Sequence, residues 1–467
     1  MLLSSLWIAY HRTGWYDEIL VLTIARLPGS GAILHAISAS ASSLPPLYFL
    51  IVRLFDQILG PNDGAARIPS ALAIAAGMMV TFGCARRFTD NVNALAGMAM
   101  LTCSFLPYYG YEARPYALCF LLSAIALWLW SHPRSEETWI AALFGLTFFL
   151  AFCLHYYTAL NLLPFAVFEI SMWRRLQRPS SRLMAGGVGV LAGAVVCAPF
   201  MSAAHRFSHG FWSPPSLTLI RGVFTEVFPD VALAAAIVLV GLALVPKRPG
   251  AAVPPMFQIE RLGWLFLLLP IAGFAIAIAV TNAFVSRYFI GMLPPIAVAF
   301  SCALWRRFRG QPSLSAAIAL TMLAIGAGQQ VRVTLRPDAV KPPAKPTSPE
   351  ILAAMLSMES ALLADGKTAL VLPAGDTLAL EAPYYSTRPG SYVLLLNGSG
   401  DLLSRAHQDL ARFKPMTLWT VDTLRARAPS AALINPTDGV LAGLAKAGFQ
   451  LQFIDSRSPS LKIFYMK

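Results

Sequence analysis

Trp15-Tyr16-Asp17-Glu18 follows the first apolar run of the chain, and a second polar segment, Tyr111-Glu112-Ala113-Arg114-Pro115-Tyr116, follows a later one. Placing two adjacent carboxylates at the end of an apolar, membrane-like run costs free energy, so such residues are usually functional. We interpret the rest of the chain as a membrane scaffold that brings both polar segments to one side of a bilayer. The simpler alternative is that Asp17 and Glu18 begin a helix, where the positive N-terminus favours carboxylates.

The composition indicates a membrane protein. Of 467 residues, 57% are hydrophobic and 13% are charged, whereas soluble proteins carry about a quarter charged residues. Apolar runs of about twenty residues recur, which predicts transmembrane helices. The fold class expected is therefore mainly α, a polytopic transmembrane helical bundle. The net charge of +13 comes with many Lys and Arg residues in short loops, a distribution typical of membrane topology and not of a nucleic-acid partner.

The hydropathy pattern predicts about ten full spans. The first run, Met1 to Tyr10, is too short to cross, so either this helix is partial or the true start lies upstream. The run from Leu44 to Leu59 contains charges and is expected to lie at the interface. The predicted spans are 67–85, 94–107, 116–130, 139–154, 160–173, 183–201, 231–245, 264–281, 289–305 and 314–329.

The loop charges predict the orientation. Basic loops near residues 86, 174, 247 and 306 fall on one side, which is expected to be cytoplasmic. The polar elements that fall on the other side are Asp17, Glu112, His155, the loop 202–229 and Arg287. We expect a multi-pass protein of a bacterial-type inner (plasma) membrane, with a C-terminal domain outside the cytoplasm.

Three domains are predicted. Residues 1–331 form the membrane domain, whose first outer loop is 11–65. A Pro-rich linker covers 332–349. Residues 350–467 read as a small α/β domain, because short apolar runs alternate with helical patterns. Its predicted strands are 369–372, 392–396, 416–421, 431–434, 451–454 and 462–465.

The six cysteines all lie in or beside the apolar runs of the membrane domain, which predicts buried free thiols.

These polar segments carry a family resemblance. Trp-Tyr-Asp-Glu is followed by Pro45-Pro46-Leu47-Tyr48-Phe49, then by Arg67-Ile68-Pro69-Ser70-Ala71, then by Tyr-Glu-Ala-Arg-Pro-Tyr-Ala-Leu from Tyr111. In order and spacing, over roughly residues 7 to 310, this set resembles the GT-C membrane glycosyltransferases. The group it looks most like is the superfamily of protein O-mannosyltransferases and lipid A aminoarabinose transferases (families 39 and 83).

The resemblance implies an inverting hexosyl- or pentosyltransferase that takes a sugar from a polyprenyl-phosphate-sugar donor. The acceptor would be a hydroxyl of a protein, lipid or glycan on the outer face. Asp17 matches the catalytic aspartate of the family, and a carboxylate suits a base at an anomeric centre. Glu18 is expected to orient Asp17 or to bind acceptor, and Glu112 is the third catalytic candidate. Arg287 is the first choice for the donor phosphate and Arg114 the second.

Further candidates bind substrate, namely Tyr16, Tyr116, His155 and Tyr288. A divalent metal is compatible with this chemistry but not required, since a cationic clamp does the same electrostatic work. Structural alternatives stay open: Glu112 and Arg114 could form a bridge, and His155 could be an ordinary helix-end histidine. For Arg67 the favoured interpretation is a span cap whose side chain extends to the interface.

Two other functions compete with transfer. A transporter or flippase of a lipid-linked substrate would place ionisable groups near the middle of the membrane and show inverted repeats. In this sequence the charges lie at the ends of spans instead. A non-catalytic subunit is the third hypothesis, and the retention of both carboxylate segments argues against it.

Overall fold

The computed structural model describes most of the chain and divides it into two compact units. The helical unit comprises Met1–Arg12 and Leu44–Ala339, and the α/β unit comprises Thr13–Ser43 and Val340–Lys467. The described residues are 1–133, 137–172, 180–206, 213–228, 256–308, 312–336, 349–364, 368–373, 377–396, 417–427, 431–454 and 461–466. The predicted span 231–245, the basic loops near 174 and 247, and most of the predicted linker lie outside them.

Helices make up the described part of the helical unit. They are Leu2–His11, Leu47–Leu59, Asp63–Phe88, Asn91–Thr102, Leu106–Tyr109, Tyr116–Trp130, Thr138–Leu154, Leu162–Ser171, Ser181–His205, Leu217–Val227, Met256–Leu265, Leu269–Ile276, Leu293–Phe308 and Pro312–Leu335. Short 3₁₀ segments cover Tyr156–Asn161, Phe266–Leu268 and Ser286–Met292, and a π turn covers Ala277–Thr281.

Five of the described helices are long and apolar enough to cross a membrane. They are Asp63–Phe88, Ser181–His205, Met256–Thr281, Ser286–Phe308 and Pro312–Leu335. Tyr116–Trp130 and Thr138–Leu154 are apolar but shorter, with 15 and 17 residues. At about 1.5 Å per residue they rise less than the roughly 30 Å of a hydrocarbon core. The sequence pattern therefore places the apolar helices correctly but overstates how many are full-length spans.

The helices approach one another closely at small residues. A Cβ on Gly189 would lie 2.0 Å from the carbonyl oxygen of Gly145, so helices Thr138–Leu154 and Ser181–His205 touch backbone to backbone there. A Cβ on Gly263 would lie 2.3 Å from the carbonyl oxygen of Pro295. Small residues at such crossings allow the van der Waals packing that drives helix association in lipid. All six cysteines are buried free thiols, as the sequence predicts.

Arg67 does not extend to the interface, so the favoured sequence interpretation of this residue is wrong. Its side chain is completely buried. The Nη1 atom donates to the carbonyl oxygens of Ala9 and Arg12, each at 2.7 Å. These carbonyls belong to the C-terminal end of helix Leu2–His11, where carbonyl groups lack partners within the helix. Arg67 thus holds the first helix against helix Asp63–Phe88.

The α/β unit contains a six-stranded sheet in the order β3-β2-β1-β4-β6-β5. The strands are β1 Ala369–Pro373, β2 Tyr392–Leu395, β3 Thr417–Trp419, β4 Ala431–Ile434, β5 Leu451–Ile454 and β6 Ile463–Met466. Strands β1 to β4 pair in parallel, and β6 is antiparallel to both β4 and β5. The prediction of a small C-terminal α/β fold is confirmed.

Six described helices belong to the same unit, and the first two come from an early segment of the chain. They are Tyr16–Ala25, Gly29–Ser38, Pro349–Leu362, Leu378–Tyr385, Val421–Arg427 and Asp438–Lys446. Strands β1, β2 and β4 are buried almost throughout, as expected of parallel strands with both faces covered. The segment Thr13–Ser43, part of the predicted first outer loop, belongs to this unit. The predicted division of the chain into 1–331, 332–349 and 350–467 stays a prediction.

Candidate active site

Tyr116 is the centre of a cluster in the helical unit. It begins helix Tyr116–Trp130 and is only 1% exposed. The guanidinium carbon of Arg114 lies 5.6 Å from the centroid of its ring, and that of Arg287 lies 5.7 Å from it. Arg114 Nη2 also donates to the Tyr116 hydroxyl at 3.3 Å. Two buried cations therefore share one aromatic ring, at distances typical of cation–π contacts.

His155 joins this cluster from the end of helix Thr138–Leu154. Its ring lies 5.6 Å from the ring of Tyr116 and 4.6 Å from that of Tyr288. Burial, and then the positive charges of Arg114 and Arg287, lower the pKa of His155 to about 3. The Tyr157 N–H donates to His155 Nδ1 at 3.4 Å, so the neutral ring carries its proton on Nε2.

The loop that presents Arg287 is tied down on two sides. The Tyr157 hydroxyl donates to the carbonyl oxygen of Ala283 at 2.5 Å. Ser213 holds Phe284 through two hydrogen bonds, of 3.0 and 2.8 Å. After the loop, Ser123 Oγ donates to the carbonyl oxygen of Gly291 at 2.5 Å and attaches the segment to helix Tyr116–Trp130. A side chain on so constrained a backbone is suited to precise binding.

Glu112 lies in a second, adjoining group of tyrosines. It is 1% exposed. The Tyr108 hydroxyl donates to Glu112 Oε1 at 3.5 Å and accepts from Arg12 Nη2 at 2.8 Å. Burial, and then the charge of Glu112, raise the pKa of Tyr109, while the charge of Arg287 acts in the opposite direction. Glu112 and Arg287 are therefore both close enough to act on the same phenol.

Sequence reasoning missed two members of these groups. Arg12 is buried and lies over the rings of Tyr108 and Tyr111, at 5.0 and 5.7 Å. Tyr157 lies beside Tyr288, with 4.8 Å between ring centroids. The signal for Arg12 was its place just before Trp-Tyr-Asp-Glu, because a charge retained beside a short apolar run needs a buried partner.

Asp17, Glu18 and Tyr16 belong to the α/β unit, on helix Tyr16–Ala25. Tyr16 and Glu18 are buried at 5% and 0% exposure, whereas Asp17 between them is partly exposed. Glu18 Oε2 accepts a long hydrogen bond of 3.4 Å from the Trp15 N–H, at the start of its own helix. Of the two adjacent carboxylates, Asp17 is thus the more accessible and Glu18 closes the helix end.

The described residues contain no group of three or more His, Cys, Asp or Glu side chains placed to hold a metal ion. Among the described residues of the helical unit, Arg114 and Arg287 are the buried cationic groups beside Tyr116. Residues 207–212 and 229 of the loop 202–229 lie outside the described residues.

Comparison with solved structures decides the fold. ArnT from Cupriavidus metallidurans bound to undecaprenyl phosphate superposes with a TM-score of 0.62 over 100% of this chain and 96% of that chain, at 12% identity. The apo state of the same ArnT gives 0.61, over 99% and 96%, at 13% identity.

This chain has the GT-C fold. Together with the described spans, the match shows an integral, multi-pass membrane protein. The resemblance seen in the sequence and the predicted fold class are confirmed.

Sequence comparisons point to the same superfamily. The model of the dolichyl-phosphate-mannose-protein mannosyltransferase family matches residues 43–202. The undecaprenyl phosphate-alpha-4-amino-4-deoxy-L-arabinose arabinosyl transferase 1 of Pseudomonas fluorescens (strain Pf-5) is 23% identical over 195 residues, which are 40% of this chain and 35% of that protein. The chain thus aligns with about a third of the length of this curated relative.

Proposed function

We propose that this protein is a membrane glycosyltransferase that moves a sugar from a polyprenyl-phosphate-sugar donor to an acceptor hydroxyl on the outer face of the membrane. The acceptor belongs to a protein, lipid or glycan. The observation that carries this proposal is the approach of Arg114 and Arg287 to one ring, that of Tyr116, beside a neutral His155. The relatives named for undecaprenyl-phosphate and dolichyl-phosphate chemistry support the donor class.

The two arginines suit the leaving group of this reaction. Breaking the bond between the anomeric carbon and the phosphate oxygen leaves a lipid phosphate with an added negative charge. A guanidinium group binds phosphate through paired, charge-assisted hydrogen bonds. Two of them in a buried place stabilise that charge as it develops, because the low dielectric strengthens the interaction. Arg287, in the 3₁₀ segment that follows the constrained loop, is assigned the donor phosphate, and Arg114 is assigned the supporting charge.

Asp17 is proposed as the base. Its carboxylate takes the proton of the acceptor hydroxyl as the hydroxyl oxygen attacks the anomeric carbon and the phosphate departs from the opposite face. One displacement of this kind inverts the configuration of the sugar. Asp17 lies in the first turn of its helix and is partly exposed, whereas its neighbours Tyr16 and Glu18 are buried.

The remaining candidates are assigned to binding and positioning. Glu112 accepts from Tyr108, which itself accepts from Arg12, and this fits a carboxylate held for positioning. Glu18 supports the helix that carries Asp17. Tyr16, Tyr116, His155 and Tyr288 are proposed to contact substrate. No step of this proposal needs a metal ion.

The decisive experiment uses the full-length protein in proteoliposomes with a panel of polyprenyl-phosphate sugars. Transfer predicts release of the lipid phosphate in an amount equal to the sugar transferred. Movement of intact donor across the bilayer without release of lipid phosphate would instead identify a flippase and overturn the proposal.

The orientation is proposed separately, with the basic loops in the cytoplasm of a bacterial-type inner membrane and the tail outside. Alkaline phosphatase fused after Lys467 should be active in whole cells, because that enzyme folds only in an oxidising compartment. A reporter that works only in the cytoplasm should be inactive at the same position. The reverse pair of results would invert the proposed topology.

A further inference from the structure

Two adjacent tyrosines at the end of helix Leu378–Tyr385 bind a segment from the far end of the chain. The Tyr385 hydroxyl accepts from the backbone N–H of Gly14 at 2.6 Å. The Tyr384 hydroxyl accepts from Arg26 Nη1 at 2.5 Å. Both contacts lie within the α/β unit.

These contacts bracket the helix that carries Asp17. Helix Tyr16–Ala25 starts after its N-cap Trp15 and ends at its C-cap Arg26. Gly14 directly precedes the N-cap, so one tyrosine binds before the first turn and the other binds at the last. The two rings are edge to face, 5.0 Å apart with an interplanar angle of 82°, so neighbouring side chains point in different directions and reach both ends.

The tyrosine pair is itself anchored in a core. Leu378, Ala379 and Ala382 of the same helix are buried in the main hydrophobic cluster of the unit, and Tyr385 packs against that cluster. This helix also follows β1, an interior strand of the sheet. A short helix frays at its ends unless they are held. Here both ends of helix Tyr16–Ala25 are held by side chains on a rigid element, which reduces fraying.

We infer that Tyr384 and Tyr385 are positioning residues for the Asp17 carboxylate, and that supplying them is a task of the C-terminal domain. This inference rests on the proposed function, in which Asp17 is the base. Only two residues separate Gly14 from Asp17, so the backbone there sets the direction of the carboxylate. An error of about 1 Å in a catalytic group costs as much as a hundredfold in rate.

The test compares three variants of the full-length protein with a matched control. Tyr384→Phe, Tyr385→Phe and the double variant keep the rings and remove only the hydroxyls. Tyr392→Phe is the control, because its hydroxyl donates to Glu359 Oε2 at 2.8 Å within the same unit. Hydrogen exchange of the peptide over residues 15–25 is measured together with kcat and the donor KM.

The double variant should exchange about twenty-five-fold faster over residues 15–25, since each of the two lost hydrogen bonds contributes about fivefold. Its kcat should fall by roughly tenfold to a hundredfold, with donor KM and thermal midpoint close to the parent values. Tyr392→Phe should change neither the exchange of that peptide nor kcat. A merely structural role would lower the thermal midpoint while kcat per folded molecule stayed the same.

Two results would overturn the inference: unchanged exchange over residues 15–25 in the double variant, or faster exchange with parental kcat. A separate measurement tests the proposed function, namely the transfer activity of an Asp17→Asn variant, which alters neither tyrosine. Full activity of that variant would show that Asp17 is not the base. The exchange measurement reports on the hydrogen bonds from Gly14 and Arg26 to the two tyrosines in either case.

Discussion

Arg114 and Arg287 come from separate segments of the chain, yet their guanidinium carbons lie 5.6 and 5.7 Å from the centre of the same ring, that of Tyr116. Two buried guanidinium groups at one ring suit an anionic ligand, because a low dielectric strengthens the attraction between opposite charges. This relationship is the physical basis for assigning the donor phosphate to Arg287 and Arg114.

Arg287→Ala should weaken donor binding by on the order of a hundredfold, because it removes charge-assisted hydrogen bonds to the phosphate. Arg287→Lys should recover part of the loss, since lysine keeps the charge but not the paired donors. Arg221→Ala, which removes an exposed arginine from helix Leu217–Val227, is the control and should bind normally. Direct binding of a polyprenyl-phosphate analogue measures the effect, and parental affinity in Arg287→Ala would contradict the assignment.

Asp17→Asn should fold and bind donor but lose transfer by about a hundredfold or more, because the amide keeps the shape and removes the basic oxygen. Glu112→Gln should lose less, since Glu112 is assigned to positioning. The measurement is the initial rate of sugar transfer, with donor binding checked separately. If Glu112→Gln is inactive while Asp17→Asn works, the two assignments are reversed, and two fully active variants would place the site elsewhere.

Arg67→Ala should destabilise the helical unit strongly, by about 3 kcal/mol or more, because two buried carbonyl groups lose a charged donor. Arg87→Ala is the matched control on the same helix. Arg87 is exposed and donates to the carbonyl of Trp128 at 3.1 Å, so its loss should cost about 1 kcal/mol or less. Thermal unfolding in detergent compares the two, and equal midpoints would show that Arg67 does not hold the first helix.

His155 should stay neutral throughout the pH range of activity, because its pKa is lowered to about 3. An unfolded histidine titrates near pH 6.5. Between those values the unfolded state binds more protons, so stability is present above about pH 6.5 and is lost as the pH falls towards the folded pKa. His155→Gln should therefore lose less stability than the parent between pH 7.5 and pH 5, by up to about 2 kcal/mol.

Thermal midpoints at the two pH values test this prediction for His155. The pH dependence of the transfer rate should have the same shape in His155→Gln as in the parent. A rate ionisation near pH 6 to 7 that disappears in the variant would show that His155 titrates during catalysis.

Local patterns determined the elements of this protein. Helix Tyr116–Trp130 and strands β4 and β5 begin and end at the residues that hydropathy indicates. Periodicity and turn residues act within a few positions of the chain, so a sequence states them directly. The ordered polar segments were enough to indicate the GT-C fold, because their spacing reflects the spans between them.

Contacts between distant residues were decided only by the tertiary structure. Hydropathy measures apolarity over a window and not the length of continuous helix, which is why short helices were counted as spans. It also says nothing of which helix an arginine faces, so Arg67 was expected at the interface although it is buried against Ala9 and Arg12.

The same holds for the functional clusters. No local pattern shows that Arg287 lies beside Tyr116 or that His155 lies beside Tyr288. Nor does a local pattern show that Tyr384 and Tyr385 bind the two ends of the Asp17 helix. The sequence by itself determined which carboxylates, arginines and tyrosines stand in the polar segments between the apolar runs. The tertiary structure decided which of them meet, because burial and charge are set by packing between segments that are far apart in the chain.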